Sequence, residues 1–260
     1  MASANRFNNY KVLSQFAALW RGESFKPMIE FENTAIIVIA RMAGGNLPGL
    51  PMMDVAGQTL VARAADQFEK AGLGTVIVAT PDHQVATALR NMGRDVLVAP
   101  ARMESESAMA ASVLALRDPN KKFTHVLVLS CTLAAIDALS LRRCLAGLSN
   151  DNVDGATLAG PASAGAHWHL DAPLTEEREV VWLRGITQHG DDPAHIPVYA
   201  WTRTALEKLA VVPQTGVAHE LAFAQQAGLR IVAVKVDTMP LCVDTAANLE
   251  ALRRMMKDEK

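Results

Sequence analysis

The sequence predicts an α/β protein built on a doubly wound, mostly parallel sheet. From residue 34 onward, short apolar runs rich in β-branched residues alternate with longer amphipathic segments. This alternation is typical of strand–helix–strand units with right-handed crossovers, which place helices on both faces of a sheet. With 260 residues, of which 50% are hydrophobic and 20% charged, the chain can bury a large core.

The first half of the chain supplies four strand-like runs and four helix-like segments. The runs are "TAIIVIA" (34–40), "TVIVAT" (75–80), "DVLVAP" (95–100) and "HVLVLSC" (125–131), and they are apolar at nearly every position, as strands covered on both faces require. The helix-like segments are "VARAADQFEKAG", "DHQVATALRNMG", "SESAMAASVLALRD" and "AAIDALSLRRCLAGL". The first two end at a glycine suited to a helix C-cap.

After residue 150 the alternation is less regular. "DGATLAGP" and "VVWLRG" indicate further strands, and "HIPVYAW" (195–201) indicates a strand leading into the helix "TRTALEKLA". "GVAHELAFAQQAG" predicts a helix, "LRIVAVKV" a strand and "TAANLEALRRMMKDEK" a closing helix. No internal repeat occurs, and residues 31–260 are predicted to form a single α/β domain.

Residues 1–30 differ in character and are predicted to form a helical extension. The segment "NNYKVLSQFAALW" places a set of apolar side chains on one helical face, namely Val12, Leu13, Phe16, Leu19 and Trp20. Such a face could bind a partner, lie on a membrane surface, or pack on its own domain or a sister subunit. Because the segment has few basic residues, packing on the protein itself is favoured.

Charge and cysteine content narrow the classes of function. The net charge of −2 gives no reason to expect a nucleic-acid partner, which would favour a concentrated basic surface. No apolar segment reaches the roughly 18 residues that cross a bilayer, so no transmembrane segment is predicted. Cys131, Cys144 and Cys242 are far apart and indicate neither disulfides nor a zinc site. Without signal-peptide features, we expect a cytoplasmic protein.

The loop "ARMAGGNLPGLPMMDVAG" (40–57) follows the first predicted strand, at the sheet edge where α/β proteins bind ligands. Gly44 and Gly45 would let backbone amides turn toward an anion. The spacing is not G-x-G-x-x-G and no acidic ribose partner follows, so a nicotinamide cofactor is disfavoured. An ordinary Gly/Pro turn is the alternative.

Two further groups of residues could carry chemistry. "HWHLD" and "HGDD" offer the possible metal ligands His167, His169, Asp171, His189, Asp191 and Asp192, although solvated loop residues are the more common explanation. Cys131 follows a strand at its carboxyl end, where a nucleophile could lie. No Cys/His signature surrounds it, so a buried small apolar role is favoured.

The loop at 40–57 resembles the signature of the CMP-Kdo synthetases, which use CTP to activate 3-deoxy-manno-octulosonic acid (Kdo). The family pattern is A-R-x-x-S-S/T-R-L-P-G-K-P-L-x-D-x-x-G, and the chain keeps in register Ala40, Arg41, Leu47, Pro48, Gly49, Pro51, Asp54 and Gly57. "HIPVYAW" is similar to H-I/L-G-I/V-Y, "AHELAFAQQAGLRI" to the L-E-Q-L-R helix, and "CVDTAANLE" to G-V-D-T-P-E-D-L-E. The resemblance covers residues 34–255 in one order.

The resemblance implies a nucleotide-diphospho-sugar transferase-like (Rossmann-like) fold and a cytidylyltransferase reaction in lipopolysaccharide biosynthesis. It implies nucleotide binding by Arg41, Gly44, Gly45, Ser105 and Ser107, and a sugar-acid side at His195, Tyr199 and Glu220. It also implies Mg²⁺ at Asp244, a homodimer, and an acceptor and dimerisation part at roughly 150–230. The ligands implied are a nucleotide and a sugar acid.

Several charged residues of the family pattern are replaced in this chain. Asn46 and Leu50 stand where the pattern has arginine and lysine, and Thr132 stands where Q-G-D-E-P has its magnesium aspartate. "SESAM" aligns with S-G-T-D/E-R and has Met109 in place of the arginine, and Leu221 replaces a glutamine. We therefore expect impaired or lost cytidylyl transfer. The alternatives are a non-catalytic paralogue that binds a nucleotide, sugar acid or protein, and a transferase with a changed donor or sugar.

Overall fold

The computed structural model describes residues 31–43, 47–100, 105–162, 167–188, 193–212 and 219–258. The predicted N-terminal extension lies outside these ranges, as do Gly44, Gly45 and Asn46 of the candidate loop and His189, Asp191 and Asp192 of the candidate metal cluster. Within the described part of the chain, no helix combines the length and apolarity needed to cross a bilayer.

The secondary structure alternates as the sequence predicts. The strands are β1 (Thr34–Ile39), β2 (Asp54–Val55), β3 (Gln58–Thr59), β4 (Thr75–Thr80), β5 (Val96–Val98), β6 (His125–Ser130), β7 (Gly155–Gly160), β8 (His169–Asp171), β9 (Val180–Trp182), β10 (Gly185–Thr187), β11 (Ala194–Thr202) and β12 (Ile231–Lys235). The helices are α1 (Leu60–Ala71), α2 (His83–Asn91), α3 (Glu106–Arg117), α4 (Ala138–Ala146), α5 (Arg203–Val211), α6 (Glu220–Gln226) and α7 (Ala246–Asp258). Short 3₁₀ helices cover Phe31–Asn33, Leu50–Met52 and Cys131–Leu133.

The main sheet has the strand order β5-β4-β1-β6-β11-β7-β12-β9, with β8 and β10 attached beside β11. The pairs β5–β4, β4–β1, β1–β6 and β7–β12 are parallel, whereas β11 runs antiparallel to both β6 and β7. The sequence predicted β11 as a strand without its direction. Because β11 is reversed, its beginning lies at the same sheet edge as the carboxyl ends of β1, β6, β7 and β12.

Helices cover both faces of the sheet, as a doubly wound α/β protein requires. Along β1, Ile36 and Val38 belong to one buried apolar cluster, whereas Ala35, Ile37 and Ile39 belong to the cluster on the opposite face. Every residue of this strand is buried. The uninterrupted apolar composition of the strand follows from this double cover. The predicted α/β fold class is confirmed.

Local signals explain where several elements begin and end. Helix α1 begins after Thr59, whose side chain accepts a hydrogen bond from the Ala62 N–H, and ends at Gly72 with φ of 65°. The segment "AAIDALSLRRCLAGL" was expected to be one helix, but its helix begins only at Ala138. Asp137 caps this helix by accepting from the Ser140 N–H at 2.7 Å. Capping by a short acidic side chain therefore determines the start of α4.

One glycine is required by close packing beside the sheet. A Cβ atom added at Gly155 would lie 2.2 Å from the ring of Trp201. Trp201 is fully buried on β11, which pairs with β7 at this position. The glycine therefore makes room for the indole ring, whose Nε1–H donates to the Ser107 Oγ at 2.8 Å.

Candidate functional site

A cavity of about 280 Å³ opens at the carboxyl ends of β1 and β6, where open α/β sheets bind ligands. Its polar lining comes from separate segments that converge at this edge, namely Arg41, Glu106, Ser130, Thr132 and Asp244. Its apolar lining comes from Ile39, Ala43, Leu47, Leu50, Pro51, Cys131 and Val243. Arg41 and Asp244, both predicted as site residues, are thus brought together.

Two hydrogen bonds from backbone N–H groups hold the described residues on either side of the loop after β1. The Met42 N–H donates to the Asp82 carboxylate at 2.8 Å, and the Gly49 N–H donates to the Met42 carbonyl at 2.8 Å. Gly49 has φ of 78°, a left-handed conformation that favours glycine. Leu50 follows in a 3₁₀ helix and is buried, so an apolar side chain lies where the family pattern has lysine.

Glu106 is the first residue of α3 and lines the cavity together with Arg41. Burial, and after it the neighbouring carboxylate of Glu220, raise the pKa of the Glu106 carboxyl, the charge of Arg41 lowers it, and the net result is a pKa of about 8. The cavity therefore contains an acidic group that changes its charge near neutral pH.

Glu220, predicted on the sugar-acid side, lies against the beginning of α3. Its carboxylate accepts from the Ser107 N–H at 2.8 Å and from the Glu106 N–H at 3.1 Å. These are backbone donors that a helix N-terminus leaves without intrahelical partners. Burial raises the pKa of the Glu220 carboxyl despite these hydrogen bonds. In this arrangement Glu220 fixes the position of Glu106.

The two serines predicted at the nucleotide site have structural partners at the same helix end. Ser105 caps α3, since its Oγ accepts from the Ala108 N–H at 3.0 Å. Ser107 is fully buried, and its Oγ accepts from the Trp201 indole N–H at 2.8 Å. Ser107 does not line the cavity described above, and contact with a ligand there stays a prediction.

His195 and Tyr199 of β11 form a second group at the same edge of the sheet. His195 is buried, with its Nε2 3.0 Å from the Thr157 hydroxyl and its ring 5.0 Å from the His219 ring. Burial lowers the pKa of His195 well below its usual value and that of His219 to about 4. Burial also raises the pKa of Tyr199 well above its usual value. These imidazoles and the phenol are therefore neutral at physiological pH.

A second pocket, of about 360 Å³, lies at the carboxyl ends of β7 and β12. Three charged side chains line it, and each is already paired: Lys235 contacts Glu176 at 2.6 Å, and Asp237 contacts Arg143 at 3.3 Å. Because these ion pairs already occupy the charged side chains, this pocket is a weaker candidate for a ligand site than the cavity at β1 and β6.

The candidate metal ligands of the cavity do not make a magnesium centre. Asp244 already accepts from the Asn248 amide at 2.7 Å through one oxygen, and Thr132 accepts from the Cys242 thiol at 3.7 Å. A hydroxyl is a poor substitute for the anionic oxygen that Mg²⁺ prefers. Across the described ranges, no group of three His, Cys, Asp or Glu residues could hold a metal ion. The described donor set does not fit a Mg²⁺–triphosphate complex.

The remaining candidates lie apart or are unreactive. His169 is buried on β8, whereas His167 and Asp171 are exposed. Burial raises the pKa of the Cys131 thiol to about 12, so this residue is protonated and is a poor nucleophile at neutral pH. Glu106 was missed as a site residue. The signal that could have found it is an acidic residue where the pattern S-G-T-D/E-R has glycine.

Comparison with known proteins agrees with this architecture. The family model of the MobA-like NTP transferase domain matches residues 41–259, which defines a protein of the nucleotidyltransferase class. The chain is 31% identical over 242 residues to the 3-deoxy-manno-octulosonate cytidylyltransferase of Agrobacterium fabrum (strain C58), covering 87% of this chain and 96% of that protein. It therefore belongs to the 3-deoxy-manno-octulosonate cytidylyltransferase family. The protein of that name from Bradyrhizobium sp. (strain ORS 278) is also 31% identical, over 85% of this chain and 96% of its own.

Solved structures show the same fold at lower identity. A CMP:2-keto-3-deoxy-manno-octonic acid synthetase complexed with CTP is 21% identical, with a TM-score of 0.72, over 88% of this chain and all of that chain. A UDP-glucose pyrophosphorylase complexed with UDP-glucose is 13% identical, with a TM-score of 0.62, over 88% of this chain. At these identities the likeness concerns the fold.

Proposed function

We propose that this cytidylyltransferase-family protein binds a small ligand in the cavity at β1 and β6 but transfers a cytidylyl group from CTP to Kdo poorly or not at all. The observation that carries the proposal is the charge of the cavity. Among its described lining residues, the one cation, Arg41, faces two carboxyl groups, those of Glu106 and Asp244.

The family reaction requires positively charged groups next to the phosphates of CTP. The anomeric hydroxyl of the sugar attacks the α-phosphate of CTP, and pyrophosphate leaves. Cations aligned with the phosphates stabilise the charge that develops in such transfers. In the described lining of the cavity, the charge of Arg41 is opposed by the carboxyl group of Asp244 and, when it is ionised, by that of Glu106, so little net positive charge remains to stabilise the phosphates.

The replaced residues support the same conclusion. Leu50 contributes a buried apolar side chain to the wall where the family pattern has lysine. Thr132 contributes a hydroxyl at the end of β6 where the pattern has aspartate. Loss of one preorganised charge costs about 10²–10³ in rate for comparable sites, so several losses together reduce the reaction by many orders of magnitude.

The direct test measures pyrophosphate release from CTP, Mg²⁺ and Kdo with the full-length chain. We expect no release above the rate without protein, and release at a rate typical of the family would overturn the proposal. The variant N46R/L50K/T132D returns the three family charges, with Asn46 chosen from the sequence pattern alone. Its volume-matched control is Leu50→Met, because unbranched methionine keeps the wall apolar.

Pyrophosphate release by the N46R/L50K/T132D variant shows which part of the site accounts for the lost activity. Pyrophosphate release by N46R/L50K/T132D, but not by Leu50→Met, would show that missing charge alone prevents transfer. If neither variant releases pyrophosphate while both remain folded by circular dichroism, the acceptor side has diverged as well. The melting temperature of each variant is measured first, because a buried lysine destabilises a core.

A further inference from the structure

Residues 1–30 join the described part of the chain beside helix α4. Phe31 opens the short 3₁₀ helix before β1, and the guanidinium of Arg142 on α4 lies over its ring, with the Arg142 Cζ 5.7 Å from the ring centroid. Phe31 is half-buried and packs against the apolar cluster on the face of the sheet that α4 covers. The N-terminal segment therefore leads away from the surface of α4.

The outer side of α4 carries a narrow stripe of apolar and small side chains. The four positions of this helix that are not buried are Ala138, Leu139, Arg142 and Ala146, which we call the α4 stripe. Their spacing places them on one side of the helix, in the rows into which a second helix packs. Leu139 is 43% exposed although it is large and apolar. Arg142 already holds one aromatic ring, that of Phe31.

The segment before Phe31 offers a matching surface. Over residues 12–20 its apolar side chains lie on one helical face, and they are Val12, Leu13, Phe16, Leu19 and Trp20. Helix α4 has nine residues, and so does this stretch, so each surface would be about 13 Å long. Phe16 and Trp20 supply aromatic rings of the kind that an arginine side chain attracts.

The connection between the two surfaces is long enough for them to meet within one chain. Residues 21–30, "RGESFKPMIE", contain Gly22 and Pro27, which interrupt a helix and allow the chain to turn. Ten extended residues span at most about 36 Å, more than twice the length of α4. The amphipathic segment can therefore fold back onto the helix beside which it begins.

We infer that residues 8–20 form a helix that docks on the α4 stripe of its own chain. In this arrangement the apolar face of the segment covers Leu139, and one of its aromatic rings joins Phe31 at Arg142. Removal of Leu139 and the apolar face from water drives the association. The stripe is thus an intramolecular docking surface, which is separate from the cavity at β1 and β6.

The test measures amide hydrogen exchange by mass spectrometry in the full-length chain, following peptides from residues 8–20. An isolated helix of this length is marginal in water, so its amides are protected only when it is docked. The wild type should show protection. Leu139→Lys should reduce it about tenfold or more, because a charged group replaces an apolar contact and lies beside Arg142. Phe16→Asp should reduce it similarly.

The matched control is Leu116→Lys, the same change at an exposed leucine of α3, which packs on the opposite face of the sheet. It should leave the protection of residues 8–20 unchanged. Circular dichroism verifies that each variant is folded, and Phe16→Asp lies outside the α/β domain, so it tests docking without altering the core.

Co-expression of Leu139→Lys chains with Phe16→Asp chains tests whether a neighbouring copy is the partner. Docking between copies would restore protection, because the intact segment of one chain could bind the intact stripe of the other, whereas docking within one chain restores none. The inference is overturned by unprotected amides in the wild type, by equal effects of Leu139→Lys and Leu116→Lys, or by restored protection in the mixture.

Discussion

The carboxylate of Glu220 caps helix α3 from a different helix, with its Oε1 2.8 Å from the Ser107 N and its Oε2 3.1 Å from the Glu106 N. Glu220 is itself the first residue of α6. One side chain thus connects the beginnings of two helices. A displacement of α6 changes the position of Glu106 in the cavity.

Replacement of Glu220 by alanine should lower stability by about 1–2 kcal/mol, because two backbone N–H groups lose their acceptor. Urea unfolding followed by circular dichroism measures the change. Glu220→Gln keeps one acceptor oxygen and should fall between the wild type and the alanine variant. An alanine variant as stable as the wild type would show that water satisfies the start of α3 equally well.

Stability should fall between pH 7 and 9 because of Glu106. Its pKa is raised to about 8 in the folded protein, above the ordinary value of 4.5, so the folded state keeps a proton that the unfolded state has lost. The resulting stabilisation is complete below pH 4.5 and is lost as pH rises through 8. Above pH 7, His195 and His219 are largely neutral in both the folded and the unfolded protein, so they contribute little to the change of stability with pH.

The variant Glu106→Gln isolates this effect. We expect its free energy of unfolding to change less between pH 7 and 9 than that of the wild type, whereas Glu177→Gln, which removes an exposed carboxyl, should parallel the wild type. Urea unfolding at three pH values gives the comparison. Parallel curves for the wild type and Glu106→Gln would contradict the raised pKa.

Replacement of Gly155 by alanine should destabilise the protein by about 1–3 kcal/mol, since the new methyl group would overlap the ring of Trp201. For a chain of this size that corresponds to a decrease in melting temperature of about 2–4 °C per kcal/mol. Gly185→Ala is the control, because no atom lies within 4 Å of a Cβ there. Equal melting temperatures for the two variants would refute the close approach of β7 and the indole.

Replacement of Ser107 by alanine should cost about 1–3 kcal/mol, because the buried indole N–H of Trp201 loses its acceptor. Ser112→Ala on the same helix removes a hydroxyl that only donates to the Met109 carbonyl, so it should be nearly neutral. Differential scanning calorimetry distinguishes the two. If both serine variants melt alike, the stability of the protein does not depend on the hydrogen bond from the Trp201 indole to Ser107.

The fold was predictable because uninterrupted apolar runs and glycine-terminated amphipathic segments occur at strand and helix lengths. The antiparallel direction of β11 was not, since a buried strand has the same composition in either direction. The start of α4 was misplaced because the capping by Asp137 competes with the helical pattern of the residues before it.

The site was predictable to the extent that its residues lie on one segment or match a family pattern. Arg41 and Asp244 were identified in this way, and both line the cavity. Glu106 was not identified, because its effect depends on its approach to Arg41 across 65 residues of chain. The capping contact of Glu220 on α3 likewise arises only when distant helices meet in three dimensions.

Strand β11 runs for nine residues and is hydrogen-bonded to β6 on one side and β7 on the other. The parallel half of the sheet that carries the cavity and the half that carries β7 and β12 are therefore hydrogen-bonded into one continuous sheet. Because the two halves share strand β11, the sheet offers no hinge about which one half could close on the other over a ligand, as the two domains of hinge-closing proteins do. A ligand in the cavity at β1 and β6 therefore binds to strands that backbone hydrogen bonds hold in fixed relative positions.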